Sequence, residues 1–380
     1  MVLTKYKLGE LLEHSDIRND KLEYTLDDIK GISIQKIFIE TKANMKGVSL
    51  SPYKLVKPND FAYVTVTSRN GEKISLAHNI TEKVYIVSSS YEVFRVKNHD
   101  LLLPDYLFMY FNRLEFDRFS RFNSWGSARE TFDWNEFCDI EIELPPISIQ
   151  QKYVDVYNAM LENQKNYERG LKEIRLSFEY YIDIIKKENL IQIKNLIKLC
   201  NTKNQDKQLT LNVLRGINDQ NEFVDTTANV DEQSITNYLI VKKNCFAVNF
   251  MCLGNWGKFY LALNDSNISY LISPACSVFS IKESSNLNPY YFMCLLQREE
   301  FQRKCVFCGD GNTRGGINNN DFKMISIPVP SENKQKIIAN LFLTYKKRKE
   351  INEKLKSQLK DICPILIKGS IEEGRRMKEA

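Results

Sequence analysis

The chain has 380 residues, room for two ordinary domains, and its 43% hydrophobic and 27% charged residues are typical of a folded globular protein. The formal net charge of +5 excludes a uniformly basic nucleic-acid-binding coat but is compatible with a local basic face. Nine cysteines, an odd number, indicate free thiols and a reducing compartment. Because no apolar stretch reaches the roughly 20 residues of a bilayer span, we expect a cytoplasmic protein without a membrane partner.

The first half of the chain predicts a mixed domain of strands and short helices. It opens with a segment, 6–13, whose amphipathic pattern fits a short helix. Segments 61–67 and 83–87 are rich in β-branched and aromatic residues, as strands are. Pro104 then stands where the first turn of a helix tolerates proline. These elements predict one globular body within residues 1–145.

A loop, a cap and a final strand close this domain. Glycine in segment 123–129 is typical of a turn. Asp133 stands three residues before Glu136, the spacing of a reciprocal helix N-cap. Apolar and polar residues then alternate with period two, which predicts a half-buried strand. Its apolar residues are Ile140, Ile142 and Leu144.

Two long helices follow from a change of period to steps of three and four. We predict them over 146–187 and 331–370, with Pro364 kinking or ending the second and a tail over 371–380. The first apolar seam is Val154, Tyr157, Leu161, Gln164, Tyr167, Leu171, Ile174, Phe178, Tyr181 and Ile185; the second is Ile338, Leu341, Tyr345, Arg348, Ile351, Leu355, Leu359 and Ile362. Since neither helix has a partner in its own half, each should pack against the other.

The second half of the chain repeats the first at a constant offset of 185 positions, without gaps. Recurring pairs include Tyr53 and Tyr238, Asn59 and Asn244, Phe61 and Phe246, Pro104 and Pro289, Gly126 and Gly311, Arg129 and Arg314, and Gln150 and Gln335. A unit of this length holds a whole domain plus a long helix. The predicted fold class is therefore α+β: two repeated mixed α/β domains, 1–145 and 188–330, separated by two long antiparallel helices with pseudo-twofold symmetry.

No catalytic constellation recurs in the repeat. The histidines His14, His78 and His99 align with Leu199, Leu263 and Ser284, so neither a metal site nor a histidine-based dyad is duplicated. The pair Cys305 and Cys308 has metal-ligand spacing, but zinc would need a second pair nearby. No Gly-x-Gly-x-x-Gly or Walker loop is present. We predict no catalytic residue, no cofactor-binding residue and no metal site.

One motif is similar to the Asn-Pro-Pro-Tyr catalytic loop of amino-methyltransferases. It is Asn288-Pro289-Tyr290-Tyr291, whose repeat counterpart, Leu103-Pro104-Asp105-Tyr106, has no asparagine. The shared element is a proline and a tyrosine at a helix start. A methyltransferase activity of this chain is therefore disfavoured.

Polar loops are the candidate DNA-binding segments. Segment 69–73 and its repeat 254–258 offer amide, cationic and aromatic groups to base edges or phosphates. The candidate residues are Arg69, Asn70, Lys73, Arg129, Asn255, Trp256, Lys258 and Arg314. The alternative is that the loops are ordinary hairpin turns and the arginines brace the domain. The basic run 346–349 is likewise either a solvated helical face or a site for DNA or an acidic partner.

With this architecture, the chain resembles the specificity subunit of Type I restriction-modification systems over essentially all of residues 1–370. The resemblance rests on Gly126-Ser127-Ala128-Arg129, followed by a strand and by Leu144 to Lys152, and on the repeat of that junction from Gly311 to Lys336. The family's usual Glu-Gln after the prolines is reduced here to the glutamine, in Ile149-Gln150 and Lys334-Gln335.

The resemblance implies a non-catalytic DNA-recognition subunit. Each target recognition domain would read one half of a split double-stranded DNA site, and the helices would set the unread gap and dock two methyltransferase subunits. Motor-nuclease subunits would join them, and S-adenosylmethionine, ATP and Mg²⁺ would bind those partners. Two alternatives remain: the specificity subunit of a methylation-only or other phage-defence complex, and a bivalent protein-binding adaptor.

Overall fold

The computed structural model describes residues 3–41, 43–67, 73–126, 129–226, 228, 230–251, 259–308 and 317–379. The chain divides into two compact units. Unit 1 comprises residues 1–166 and 352–380, and unit 2 comprises residues 167–351. Each unit thus contains one globular domain, called head 1 (3–145) or head 2 (188–330), and a part of each long helix.

The described residues of head 1 form short strands and four α-helices. In chain order they are β1 (Thr4–Lys7), α1 (Leu8–Leu11), β2 (Leu12–Ser15), β3 (Lys30–Ile32), β4 (Phe38–Glu40), β5 (Lys54–Val56), β6 (Phe61–Val64), β7 (Leu76–His78), β8 (Tyr85–Val87), β9 (Tyr91–Val96), α2 (Pro104–Phe111), α3 (Leu114–Phe122), α4 (Trp134–Cys138) and β10 (Glu141–Leu144). The main sheet is antiparallel, in the order β2-β9-β6-β7. Two-stranded pairs β1–β10, β3–β4 and β5–β8 accompany it.

Head 2 repeats this order. Its elements are β11 (Leu190–Gln192), α6 (Ile193–Leu196), β12 (Ile197–Leu199), β13 (Arg215–Ile217), β14 (Phe223–Asp225), β15 (Leu239–Val241), β16 (Cys245–Asn249), β17 (Tyr260–Leu263), β18 (Tyr270–Ile272), β19 (Ser277–Ile281), α7 (Pro289–Gln297), α8 (Glu299–Phe307), α9 (Asn319–Met324) and β20 (Ser326–Pro328). Its main sheet has the matching order β12-β19-β16-β17. The predicted duplication at offset 185 and the predicted fold class are therefore confirmed.

Most predicted local elements form, with one difference at the start of each head. The strand predictions and the helix that begins at Pro104 are confirmed. The Asp133 carboxylate accepts hydrogen bonds from the N–H groups of Asn135 and Glu136 at 2.8 and 3.0 Å, as an N-cap does. Segment 6–13 was expected to be a helix, but only its centre, α1, is helical. The flanking residues pair as strands with β10 and β9, because tertiary pairing overrides a short amphipathic pattern.

Alternating side chains of the central strand give head 1 two apolar layers. Phe61 and Tyr63 of β6 pack on the helical side, whereas Ala62 packs with the strand pairs on the opposite side. This follows from the two-residue period of a strand. Head 2 places Phe246 and Ala247 in the same way. Both faces of each main sheet are therefore covered.

A buried glutamine fixes the junction between each head and its long helix. The Gln150 amide donates to the carbonyl oxygens of Leu101 and Pro145, both at 2.9 Å, and its oxygen accepts from the N–H of Leu103 at 3.0 Å. Gln335 makes the equivalent three bonds in head 2. A side chain that satisfies three buried backbone groups is hard to replace. This explains why the glutamine is present in both copies.

The long helices are α5 (Ile147–Ile185) and α10 (Glu332–Glu379). Within unit 1, Lys152 contacts Glu373 at 2.9 Å and Gln164 donates to Asn352 at 3.2 Å. As the residue number rises along α5, that of its partner falls along α10. The two helices therefore run antiparallel and pack together, as predicted.

Both long helices also complete the core of a head. In unit 1, Val154 and Tyr157 of α5 and Ile367 of α10 join the core of head 1. In unit 2, Ile182 and Phe342 join the core of head 2. Each head therefore packs directly against the long helices and shares a hydrophobic core with them.

Two details of the helix prediction are wrong. Tyr181 was placed in the seam, but it is 45% exposed, and Ile182 is buried at 1% exposure instead. Of the two outcomes expected at Pro364, a kink or an end, the end is wrong, because α10 continues to Glu379 through the segment assigned to a tail. A proline removes one backbone donor, and burial of Leu366 and Ile367 beyond it stabilises the continuing helix. Within the described residues, no helix is both long and apolar enough to cross a membrane.

The buried histidine of head 1 predicts an acid sensitivity. The His78 side chain is 1% exposed, and burial lowers its pKa to about 4. Since the unfolded value is about 6.5, the unfolded state binds more protons between these values, and stability falls as pH falls from 6.5 towards 4. Asp105, 3.5 Å away, would offset part of the cost of a charged ring, so we expect a loss of roughly 1–3 kcal/mol. Head 2 has leucine at the equivalent position.

His78→Leu should therefore remove this pH-dependent loss. Denaturant unfolding at pH 7 and pH 4.5 would measure it. An unchanged pH dependence in the variant would show that other groups govern the acid response.

Candidate nucleic-acid interface

Two of the eight predicted DNA-binding residues, Lys73 and Arg129, lie in the described part of the chain, and both are exposed. The other six, Arg69, Asn70, Asn255, Trp256, Lys258 and Arg314, lie outside the described residues. The described residues immediately before and after these segments therefore define where the candidate site lies.

In head 1 the residues that flank the two candidate segments lie together. Thr67, which precedes segment 68–72, donates its N–H to the Glu130 carbonyl at 2.9 Å. Ile74, which follows Lys73, donates its N–H to the Asp117 carboxylate on α3 at 3.3 Å. The described residues on either side of segment 68–72 are therefore bound to residues 117 and 130, which are far away in sequence.

The turn that carries Arg129 is tightly built. Trp125 and Thr131 exchange two backbone hydrogen bonds, at 3.0 and 2.9 Å. Gly126 has φ +141°, and a Cβ there would lie 2.2 Å from the Arg129 carbonyl oxygen, so only glycine fits. Trp125 is 63% exposed beside it. The turn presents an indole ring and a guanidinium to solvent.

A buried ion pair lies next to the candidate segment 69–73 in head 1. The Lys36 ammonium donates to the Asp117 carboxylate at 2.7 Å and to the Phe111 carbonyl at 2.5 Å. Both ionised side chains are less than 8% exposed. Burial lowers the pKa of Lys36, and Asp117 opposes that shift. The Asp117 carboxylate thus joins α3 to residue 36 and to residue 74, which precedes β7.

Head 2 has neutral residues at the two equivalent positions, and one of their contacts is shared with head 1. Gln302 of α8 replaces Asp117 and accepts from the Phe259 N–H at 2.8 Å. Asn221 replaces Lys36 and accepts from the Leu261 N–H at 3.2 Å. Phe259 follows segment 252–258, and α8 ends just before segment 309–316. In head 2, therefore, the residue after one candidate segment binds α8, and α8 itself leads towards the other.

Sequence reasoning missed the exposed ends of helices α3 and α8. Phe122 is 78% exposed and Phe307 is 89% exposed, at equivalent positions of the two heads. Arg118 and Arg303, also equivalent, are exposed four residues earlier. Both pairs recur at the offset of 185, but the sequence alone does not tell whether a helical phenylalanine is buried or exposed.

The basic run 346–349 is largely engaged within unit 2. Lys349 bonds to Gln220, Lys346 lies 3.9 Å from Glu222, and the Arg348 guanidinium lies 5.9 Å from the centre of the Tyr167 ring. These contacts favour the structural interpretation of the run. Among the described residues, no group of three His, Cys, Asp or Glu side chains could hold a metal ion.

Two solved restriction-modification subunits are among the structures to which the chain is similar. The S subunit of the Type-I restriction-modification system from M. genitalium is similar with a TM-score of 0.59 and 12% identity, covering 97% of this chain and 96% of that one. The HsdS subunit from Thermoanaerobacter tengcongensis has a TM-score of 0.42 and 13% identity, covering 97% and 96%. At such identities the likeness concerns the fold alone.

The sequence itself matches one family twice. No curated protein sequence matches the chain. The family described as "Type I restriction modification DNA specificity domain" matches residues 3–176 and again residues 188–361. The two matches cover most of the chain and repeat at the offset of 185 found in the sequence and the fold. The chain therefore belongs to the Type I restriction-modification DNA specificity family and carries two copies of its domain.

Proposed function

We propose that each head reads one half of a bipartite double-stranded DNA site. The observation that carries the proposal is the duplication of the interface scaffold: Asp117 and Gln302 hold equivalent backbone N–H groups next to equivalent helices, whereas the segments between these anchors differ in sequence. Contacts to bases determine which DNA sequence is bound, whereas contacts to the phosphate backbone position the protein on the DNA. Two heads with the same scaffold and different loops are therefore suited to bind two different DNA sequences.

The paired helices α5 and α10 would set the unread gap between the half-sites. This proposal is supported by the packing of the helices against the core of each head, which fixes each head to its part of the helices. By the same proposal they dock two methyltransferase subunits, and motor-nuclease subunits complete the complex. S-adenosylmethionine, ATP and Mg²⁺ belong to those partners. A methylation-only or other phage-defence complex is the alternative within the same class.

Two measurements on purified protein test this proposal. The chain alone should transfer no methyl group to DNA, and the complex with its methyltransferase partner should methylate one bipartite motif. DNA binding by that complex should weaken steeply with salt, since phosphate contacts release counterions. Methylation by rigorously partner-free protein would contradict the non-catalytic role. Salt-insensitive or absent DNA binding by the complex would favour the protein-binding adaptor.

A further inference from the structure

Helices α3 and α8 each end in a phenylalanine that no packing requirement explains. Phe122 is 78% exposed and Phe307 is 89% exposed, although phenylalanine is among the residues most often buried. A single exposed hydrophobic residue is ordinary. The same residue exposed at the same position of two diverged copies indicates a role that both heads share.

Comparing the aligned residues of α3 and α8 shows which identical side chains have no structural explanation. Of nine aligned positions, four are identical: Glu115 and Glu300, Phe116 and Phe301, Arg118 and Arg303, and Phe122 and Phe307. Phe116 and Phe301 pack in or against the head cores. The glutamates lie in the first turn, where a carboxylate is favourable to the helix dipole. Packing and helix electrostatics thus account for two of the four pairs and leave the arginine and the phenylalanine.

These two residues form a surface pair on each head. They are four residues apart, so they lie on one face of the helix. Across the parts of the chain that the structure describes, Arg118 and Arg303 make no ion pair or hydrogen bond. Arg121, by contrast, is bound to Glu130. A guanidinium without a protein partner can bind a phosphate of a nucleic acid, and the exposed ring beside it can pack against a sugar or a base.

The position of each pair agrees with this chemistry. Helix α3 carries Asp117, which anchors the residue after the candidate segment 69–73, and leads into the turn of Trp125 and Arg129. Helix α8 carries Gln302, which anchors Phe259 after segment 252–258. Each pair therefore lies on the helix that binds the described residue following a candidate DNA-binding segment.

We propose that Arg118 with Phe122, and Arg303 with Phe307, contact DNA in the two heads. The arginine binds a backbone phosphate, and the phenylalanine packs against the adjacent sugar and base. The inference rests on the proposed function, in which each head meets DNA. Because the pair is the same in both heads, it adds affinity and orientation that do not depend on sequence, while the diverged loops supply the specificity.

The test uses the full chain in complex with its methyltransferase partner and DNA that contains its methylated motif. Phe122→Ala and Phe307→Ala should each weaken binding about 5- to 100-fold, the range of an aromatic contact to a base. Arg118→Ala and Arg303→Ala should each make the slope of log affinity against log salt shallower by about one. The methylated motif should not change. Phe122→Tyr, which keeps the ring, should bind nearly as the unmodified chain does.

Matched controls are Ile80→Ala and Ile268→Ala, which remove side chains that are 67% and 57% exposed elsewhere on the heads. Binding by the phenylalanine variants equal to that of these controls would overturn the inference while leaving the proposed function intact. So would loss of the methyltransferase subunits on size exclusion, because the surface would then be a protein interface. A complex that binds no DNA even without substitution would overturn the proposed function itself.

Discussion

Lengthening both long helices by four residues, after Asn166 and after Ile351, is expected to lengthen the unread gap by one or two base pairs and to leave both half-sites unchanged. These positions are the boundaries of the two compact units. Four residues add about 6 Å of helix, and DNA rises about 3.4 Å per base pair. An insertion of four residues is a stutter, which coiled coils accommodate by local unwinding. Sequencing the methylated motif measures the gap.

The position of the insertion matters because the heads are packed on the helices. An insertion near Lys187 lies at the end of α5, but it would act inside unit 2, where Ile182 and Ile185 belong to the core of head 2 and β11 begins at Leu190. That variant is the control: we expect it to destabilise head 2 without a defined change of gap. An active boundary variant that keeps the original gap would show that the helices are not the ruler.

Asp117→Ala is expected to destabilise unit 1 by about 3–5 kcal/mol, the cost of leaving a buried charge without its partner. The Lys36 ammonium would lose the carboxylate at 2.7 Å, and the Ile74 N–H would lose its acceptor. Denaturant unfolding measures the change. If head 1 binds DNA as proposed, its DNA binding should fall as well, because the residue after candidate segment 69–73 is bound to the same carboxylate.

Head 2 provides the matched control for this substitution. The double variant Lys36→Asn with Asp117→Gln copies Asn221 and Gln302, the uncharged residues at the equivalent positions. There Gln302 itself donates to the Leu296 carbonyl, as Lys36 does to Phe111, and accepts from the Phe259 N–H. Asparagine also suits position 36, where φ is +60°. The double variant should recover most of the lost stability. If Asp117→Ala costs less than about 1 kcal/mol, the pair does not support the interface.

The sequence was sufficient for the architecture because its strongest signals are repeated. Each prediction for one half was checked by the other at offset 185, and the change of period at Pro145 and Pro330 located both long helices. Shorter elements were less certain, since α1 has four helical residues whose neighbours pair with distant strands.

Seam positions were predictable only to within one residue. A stretch such as Tyr180-Tyr181-Ile182 offers three apolar candidates, and the packing of head 2 selects Ile182. Asn352 was missed because asparagine is usually exposed. It is nevertheless only 2% exposed, and its side-chain oxygen accepts a hydrogen bond from Gln164. A buried polar pair of this kind is satisfied only in one register, which no periodicity reveals.

The sequence suggested candidate DNA-binding residues, but it did not suggest the pairs at the helix ends. Loop composition singled out Lys73 and Arg129, which are exposed, and Ile74 beside Lys73 is bound to Asp117. Phe122 and Phe307 required burial values, because the sequence pattern of a helix does not tell which phenylalanine faces solvent.

The central claim is that the heads read independently, and exchanging one head tests it most directly. Residues 1–145 would be replaced by the corresponding domain of another protein of this family, and the methylated motif would be sequenced in cells that also express the partner subunits. We expect one half of the motif to change and the other half, with the gap, to stay as in the unmodified chain. An active exchanged protein in which both halves change, or neither does, would contradict the account.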